Sequence, residues 1–362
     1  MNDLDQLNLE KDGLRLYSAG LPGFPGNFSR DSILSAILMQ NAPMLRDQLI
    51  FCARKQGKSK NRFTGEEPGK IFHELPGVKI RKLSTEYNAC DTTALFLIGH
   101  EIYKKMTGKN DLLNDHIENI ENAKNYIFSH IKHKLFLETP KHCGSDRFAL
   151  NVTYWKDSEM PDRENGTPTY PVAYTLSHIQ NLRALKSASF LLHDSLFQEI
   201  ADDMLVQLKK FLIDRGRNIF YLARDAEGPI VAVSSDMLHS LFYLERGDLE
   251  KDLIKGILEN SVSLETKMGY RALSEEDSRK VGDIYHSKTI WPFEQAIINI
   301  GARKFGLNRI EKISSRIINY LDTNPEIFII RDGLIEKGGN DPQLWTIAAK
   351  KYFNSNRKGI FP

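Results

Sequence analysis

The 362-residue sequence predicts an all-α chain. Apolar residues recur at helical spacing from one end to the other, and the segments between them are loops rich in Gly, Pro, Asn and Asp. The alternation of apolar and polar residues that a half-buried strand needs is scarce.

The first helix is expected over SRDSILSAILMQ, with Ser29 as its cap and Ile33, Leu34, Ile37 and Leu38 on one face. Further helical periods cover 43–56, 91–107, 111–132, 172–188, 194–213, 233–246, 250–261, 289–305, 309–321 and 342–353. Their succession in pairs suggests αα-hairpins, without the repeat of roughly 20–50 residues that marks a solenoid. NIFYLARD (218–225) and EIFIIRDG (326–333) read as short strands, hairpin additions between helices. No low-complexity linker or composition break divides the chain, so residues 1–362 read as a single domain.

Apolar residues make up 41% and charged residues 27%, with 19 Phe, 13 Tyr and 3 Trp. That excludes a disordered chain and leaves aromatics enough to line a cleft. Lys plus Arg number 49 against 47 Asp plus Glu, so neither a nucleic-acid nor a membrane partner is indicated and a small-molecule or oligosaccharide partner fits better. Cys52, Cys90 and Cys143 are widely spaced and without C-x-x-C, which reads as reduced thiols in a cytoplasmic protein. The opening MNDLDQLNLEKDG lacks the apolar run of a signal peptide, and no stretch approaches the ~18 apolar residues of a membrane span. The ten histidines show no H-x-x-x-H or H-E-x-x-H spacing, so neither a metal nor a cofactor is expected.

The loops carry the chemistry. GLPGFPGNFSRD, GEEPGKIFHELPG, STEYNACDTT, YWKDSEMPDRENGTPTYP, YHSKTIWPFEQ and GLIEKGGNDPQLW are dense in aromatics, carboxylates, His and Gly, and read together as one rim. In that order they resemble the amylo-alpha-1,6-glucosidase catalytic domain of glycogen debranching enzymes and related α-glycosidases built on a six-hairpin (α/α)6 barrel. FSRDSILSAI is similar to the family's Gly-Arg-Asp-Thr segment, with Ser29 in place of Gly, and EEPGKIFHEL to its Glu-Pro-Gly-Lys-Ile-x-His-Glu loop. YNACDTTALFL resembles its Tyr-Asn-x-x-Asp-Ala stretch, and YHSKTIWPFEQAII its Tyr-His-x-Gly-x-Val-Trp-Pro segment, with Lys288 where Gly is usual. YWKDS resembles the segment that holds the general acid, and GGNDPQLWTIAA a carboxylate loop running into a Gln-x-Trp-Ser helix.

The resemblance covers roughly residues 20–350 and has two departures. The large domains that many relatives carry in front of the barrel are not seen before the first motif, which favours a small substrate. YPVAYTL places Ala173 or Tyr174 where the family has a carboxylate, which puts one sugar contact in doubt.

Glycoside hydrolysis by inversion needs a proton donor and a carboxylate that activates water, ~6.5–9.5 Å apart. The resemblance assigns the donor to Asp157. Tyr154 and Trp155 beside it would desolvate the carboxyl and raise its pKa, whereas Lys156 would act the other way unless it points elsewhere or to a sugar hydroxyl. Read from its own segment, Asp157 is equally a helix cap. The base is Glu326, whose separation from Trp345 resembles the family's carboxylate-to-Trp spacing, with Glu336, ahead of the Gly pair in KGGN, as the fallback; each also reads as a solvated loop carboxylate.

Arg30 and Asp31 would hold sugar hydroxyls or form an ion pair at a helix end. Asn88 and Asp91 have the same two readings, since Asp91 also suits a helix N-terminus. His73, Glu74, Tyr285, His286 and Gln343 complete the substrate contacts. Trp155, Trp291 and Trp345 either stack on pyranose faces or pack in the core.

The resemblance implies an inverting α-glucosidase acting on α-1,6 branch points, or on a small α-glucoside such as a trehalose-like sugar or glucosylated solute. Two alternatives stand beside it. One is a sugar epimerase or isomerase using His73, His100, His178, His239 and His286, and the other a catalytically silent carbohydrate-binding protein.

Overall fold

The structure, a computed structural model, describes residues 3–355 and 359–362. It is mostly helical. The helices that organise it are α1 (Ser29–Leu38), α2 (Ala42–Arg54), α3 (Thr92–Thr107), α4 (Ile117–His130), α5 (Thr175–Leu192), α6 (Ser195–Phe211), α7 (Asp236–His239), α8 (Lys251–Asn260), α9 (Pro292–Phe305), α10 (Asn308–Ser314) and α11 (Leu344–Asn354).

Two kinds of helix alternate along the chain. Every residue of α1 is buried, and α3, α5, α9 and α11 bury most of theirs. Their sequences are apolar or small nearly all round, as a helix enclosed on every side requires. α6 instead carries one apolar stripe, Phe197, Ile200, Ala201, Met204 and Leu208, and turns its charged face to water.

The enclosed helices pack in a circuit. α1 touches α3, α3 touches α5, α5 touches α7, α7 touches α9, α9 touches α11, and α11 returns to α1. The striped helices cover them: α2 packs on α1 and α3, α4 on α3 and α5, α6 on α5 and α10 on α9. A 3-10 turn, Ser240–Phe242, continues α7 and lies so close to α9 that a Cβ on Gly301 would stand 2.8 Å from Leu241 Cβ, so only glycine fits there.

The helix ends follow local chemistry. Asn41 caps α2 by accepting from Met44 N at 3.2 Å, with a proline in the first turn, and α3 and α9 stop at left-handed Gly108 and Gly306. Ser29 differs from expectation. It is the first residue of α1 rather than its cap, and its hydroxyl donates to the Phe72 carbonyl.

Other expected helices are shorter or divided. The 111–132 period breaks at His116 into Asp111–Asp115 and α4, and the 309–321 period changes to 3-10 geometry from Ser315. The 233–246 period contracts to α7 and its 3-10 turn, because Val233 N is drawn to Asp277 Oδ2 at 2.8 Å and the hydroxyls of Ser234 and Ser235 are taken by Lys156. The two expected strands are present as Ile219–Phe220 with Ala223–Asp225, and as Ile327–Arg331. The latter pairs with both Thr289–Ile290 and Leu334–Gly338.

The N-terminal ends of the enclosed helices gather at one end of the circuit. Asp91, just before α3, pairs with Arg30 of α1; Tyr174, before α5, stacks on Tyr154. Asp236 of α7 accepts from Trp155, and Trp291, before α9, stands edge-on to Trp345 of α11. Among the described residues no helix is long and apolar enough to cross a membrane. The three cysteines are free and buried.

Candidate active site

The loops at this end of the circuit enclose a cavity of about 250 Å³. That lies just under the ~300 Å³ at which pockets for drug-sized ligands begin, so the cavity suits a small molecule. Twelve of the residues singled out in the sequence line it, among them Asp157 and Glu326.

Asp157 stands in an irregular loop between Trp155 and a Pro-rich turn, and its side chain keeps 23% exposure because it faces the cavity. Burial raises its pKa from the ordinary carboxylate range to about 7; the Arg30 cation pulls it back, and the Asp91 and Glu74 anions add to the rise. His286 Nδ1 lies 3.9 Å from Asp157 Oδ1 and 2.6 Å from Ser158 Oγ. Burial holds this imidazole well below its ordinary pKa, with Lys156 and Arg30 adding to the effect, so it is neutral and leaves Asp157 without a cation at contact.

Glu326, 1% exposed, faces the same cavity from the start of its strand. The Tyr285 hydroxyl donates to Oε1, and Asn340 donates to Oε2 from its backbone N (2.9 Å) and from Nδ2 (2.8 Å). Burial raises this pKa, and the three donors pull it back toward the ionised form. Gly339, at φ +72°, passes so close that a Cβ there would lie 2.4 Å from Glu326 Oε2. The second glycine of KGGN thus makes room for a protein carboxylate.

Asp31, 4% exposed, is the third carboxyl of the cavity. Burial moves its pKa to about 8; Arg30 opposes the shift, and the charges of Glu326 and Asp157 add to it. Arg30 itself is committed to a bidentate pair with Asp91, at 2.8 and 2.9 Å. His73, 3.5 Å from Arg30 Nη1, is held neutral chiefly by burial, and Glu74 accepts from the Thr85 hydroxyl.

The tryptophans form the inner wall. Trp155, Trp291 and Trp345 are only 3%, 0% and 6% exposed, so none is an open platform. His286 stacks on Trp291 at 5.2 Å and Phe293 on Trp345 at 4.1 Å, covering one face of each ring. Trp345 Nε1 and both polar atoms of the Gln343 amide are buried without a protein partner. These are unspent hydrogen-bonding groups in a cavity wall.

Four expected contacts lie elsewhere. Glu336 is exposed on Leu334–Gly338, opposite Ile329, and does not reach the cavity. Lys156 points away from it: Nζ contacts the Ser234 and Ser235 hydroxyls at 2.8 and 2.9 Å, and Asp236 at 3.1 Å. Asn88 braces Leu150, accepting from its N at 3.2 Å, and Asp91, fully buried, holds Arg30.

Histidines of the epimerase reading separate in the same way. His73 and His286 line the cavity, whereas His100 and His178 are turned to the backbone carbonyls of Phe96 and Met204, and His239 packs behind Trp155. Ala173 and Tyr174 pair in a buried sheet with Arg224 and Ala223, away from the cavity. The sequence reading missed the apolar rim, Phe24, Phe28, Val78, Ile80 and Leu150, and the positioning Asn340. Only their place in loops beside motif residues marked them.

No protein-family model matches the sequence. No curated protein matches it either. Solved structures do resemble it in three dimensions. A GH63 mannosylglycerate hydrolase from Thermus thermophilus, in complex with Tris and D-glycerate, superposes with a TM-score of 0.69 at 12% identity, covering 98% of each chain. The same hydrolase in complex with glucose gives 0.67 at 11% identity, again over 98% of each. An uncharacterized conserved protein from the same organism gives 0.67 at 12% identity over 94% of this chain and 96% of that one. None of these is described as a glycogen debranching enzyme, so that specific resemblance is not supported. Over nearly its whole length this chain shares the fold of a GH63 glycoside hydrolase.

Proposed function

We propose that the chain is an inverting α-glycoside hydrolase for a small glycosylated solute, built as one domain on an (α/α)6 toroid. The circuit of six enclosed helices with covering partners supports the toroid reading. What carries the functional reading is the placement of Asp157 and Glu326 in one cavity of about 250 Å³, both raised by burial but only Glu326 held by three hydrogen-bond donors. Asp157, with its pKa near 7 and no cation at contact, keeps a proton for the glycosidic oxygen. Glu326, fixed by three donors, is the carboxylate that takes a proton from the attacking water.

The small cavity favours a small glucosylated solute or a disaccharide over a branch point in a large glycan. The resemblance in fold to a hydrolase of mannosylglycerate points the same way. Asp31 and the unspent amide of Gln343 are the hydroxyl contacts of the bound sugar, with Trp345 Nε1 beside them.

The test is a screen of α-linked disaccharides and glycosylated small acids and polyols, with the anomer of the released sugar followed by NMR. First appearance of the β-anomer from an α-glycoside supports the pairing of Asp157 with Glu326. Release of the α-anomer would remove it.

A further inference from the structure

We propose that the chain carries a second site, outside the cavity, that binds a zinc-type divalent metal ion through Glu67, His130 and His142. The three residues come from separate segments: the 57–70 loop, the last residue of α4, and the 3-10 turn Pro140–Cys143. One ligating atom from each lies within 4.8 Å of the other two. The separation of these segments in the chain explains why no metal-binding spacing shows in the sequence.

The geometry of the group is hard to account for without a cation. His130 Nδ1 lies 2.9 Å from the Tyr126 carbonyl, which can only accept, and the neighbouring Ser129 hydroxyl donates to that same carbonyl, so Nδ1 carries the hydrogen. Nε2 is then left with its lone pair turned toward Glu67 Oε2, 3.4 Å away. Two buried lone pairs facing each other repel unless a cation stands between them. A proton shared by these two atoms would draw them to the ~2.7–2.9 Å of a charge-assisted hydrogen bond. Two donors on a tetrahedral zinc, each at ~2.0–2.1 Å, lie ~3.3 Å apart, close to the separation seen.

His142 distinguishes metal from proton. Its ring lies perpendicular to that of His130 with centroids 4.1 Å apart, and its Nδ1 is buried without a hydrogen-bond partner, as are His130 Nε2 and Glu67 Oε1. A proton bridges two atoms, whereas a metal gathers three. The backbone carbonyl behind His130 is the outer-shell support that metal-ligating histidines commonly have.

Lys70 Nζ, 3.6 Å from Glu67 Oε1, engages the carboxylate on its other oxygen. A pocket lined by Lys60, Asn122, Asn125 and Ser129 opens onto Glu67 and His142, giving an ion a route in and a water a fourth coordination position. Asp236, His239 and Glu294 also cluster, but all three are buried, whereas His142 of the proposed site is partly exposed. The proposed ion would clip three loops together, one of which leads directly to His73 and Glu74 of the cavity.

The test uses full-length protein stripped of metal by a chelator and titrated with Co²⁺, then Zn²⁺. The expected result is one Co²⁺ per chain with the visible bands of a four-coordinate site, displaced by equimolar Zn²⁺, and a higher Tm with zinc. H142A, which changes a partly exposed side chain, should weaken Co²⁺ binding at least tenfold, as should H130Q. H133A, at an exposed histidine on the adjoining hairpin, should leave it unchanged. Absence of the bands in the parent protein, or equal binding in H142A, would overturn the proposal. Should H130Q fail to fold, the parent and H142A titrations still decide it.

Discussion

Asp157 combines two requirements that oppose each other, since a carboxyl kept protonated by burial is a good acid and a poor contributor to folding. Its pKa of about 7 in the fold exceeds the ~3.9 of an unfolded chain. Between those values the folded state holds a proton that the unfolded state has lost, so stability falls as pH rises from about 4 to about 7 and is level above. Asn, neutral at every pH, escapes that loss. D157N should therefore melt higher than the parent at pH 8, with an advantage that grows across the same interval and is read by calorimetry; an advantage independent of pH would contradict the assignment. The same variant should lose about 10²–10⁴-fold in kcat, and less on aryl glycosides whose leaving group needs no proton. On the proposed reading, the parent's activity should decline as pH rises through about 7, because Asp157 must be protonated to act as the acid. E326Q should lose activity comparably, and added azide should restore turnover as a glycosyl azide of inverted anomer.

Between elements, the buried Arg30–Asp91 pair joins the first turn of α1 to the start of α3 beneath the cavity. Removing one partner of such a pair costs roughly 3–5 kcal/mol, because the other is left charged and unmatched. D91N should lower Tm, and it should also shift the alkaline limb of the rate profile to lower pH, since Asp91 raises the Asp157 pKa and Arg30 lowers it. A lower Tm with an unmoved limb would confine Asp91 to a structural role. G339A should displace Glu326 and reduce kcat by more than tenfold, at a folding cost of about 1–3 kcal/mol from the left-handed backbone. The sequence disclosed much at this scale. The Arg-Asp of FSRDS, at a helix start, the Asp of YWKDS, in a loop, and the Glu of NPEIF, before a strand, stand out by residue type, and all reach the cavity. Lys156 was not legible, because side-chain direction in an irregular loop depends on partners such as Ser234 that lie far along the chain. Neither was the apolar rim, since Phe24 and Val78 look like any other apolar residues.

Over the whole molecule, the succession of helices in pairs was legible because it is written in hydrophobic periodicity. The shortness of α7 was not, because hydrogen bonds to Asp277 and Lys156 overrule a helical period there. The circuit of six helix starts also sets how the site meets its ligand. Arg30, Trp291 and Gln343, all buried, close the inner end of the cavity, and the rim is made by loops such as the one carrying Val78 and Ile80. On the proposed reading, a cavity of this size takes in the end of a small glycoside. The sugar that the proposed reaction frees would fit the same cavity as the substrate. It should act as a competitive inhibitor, which progress curves with added product would display.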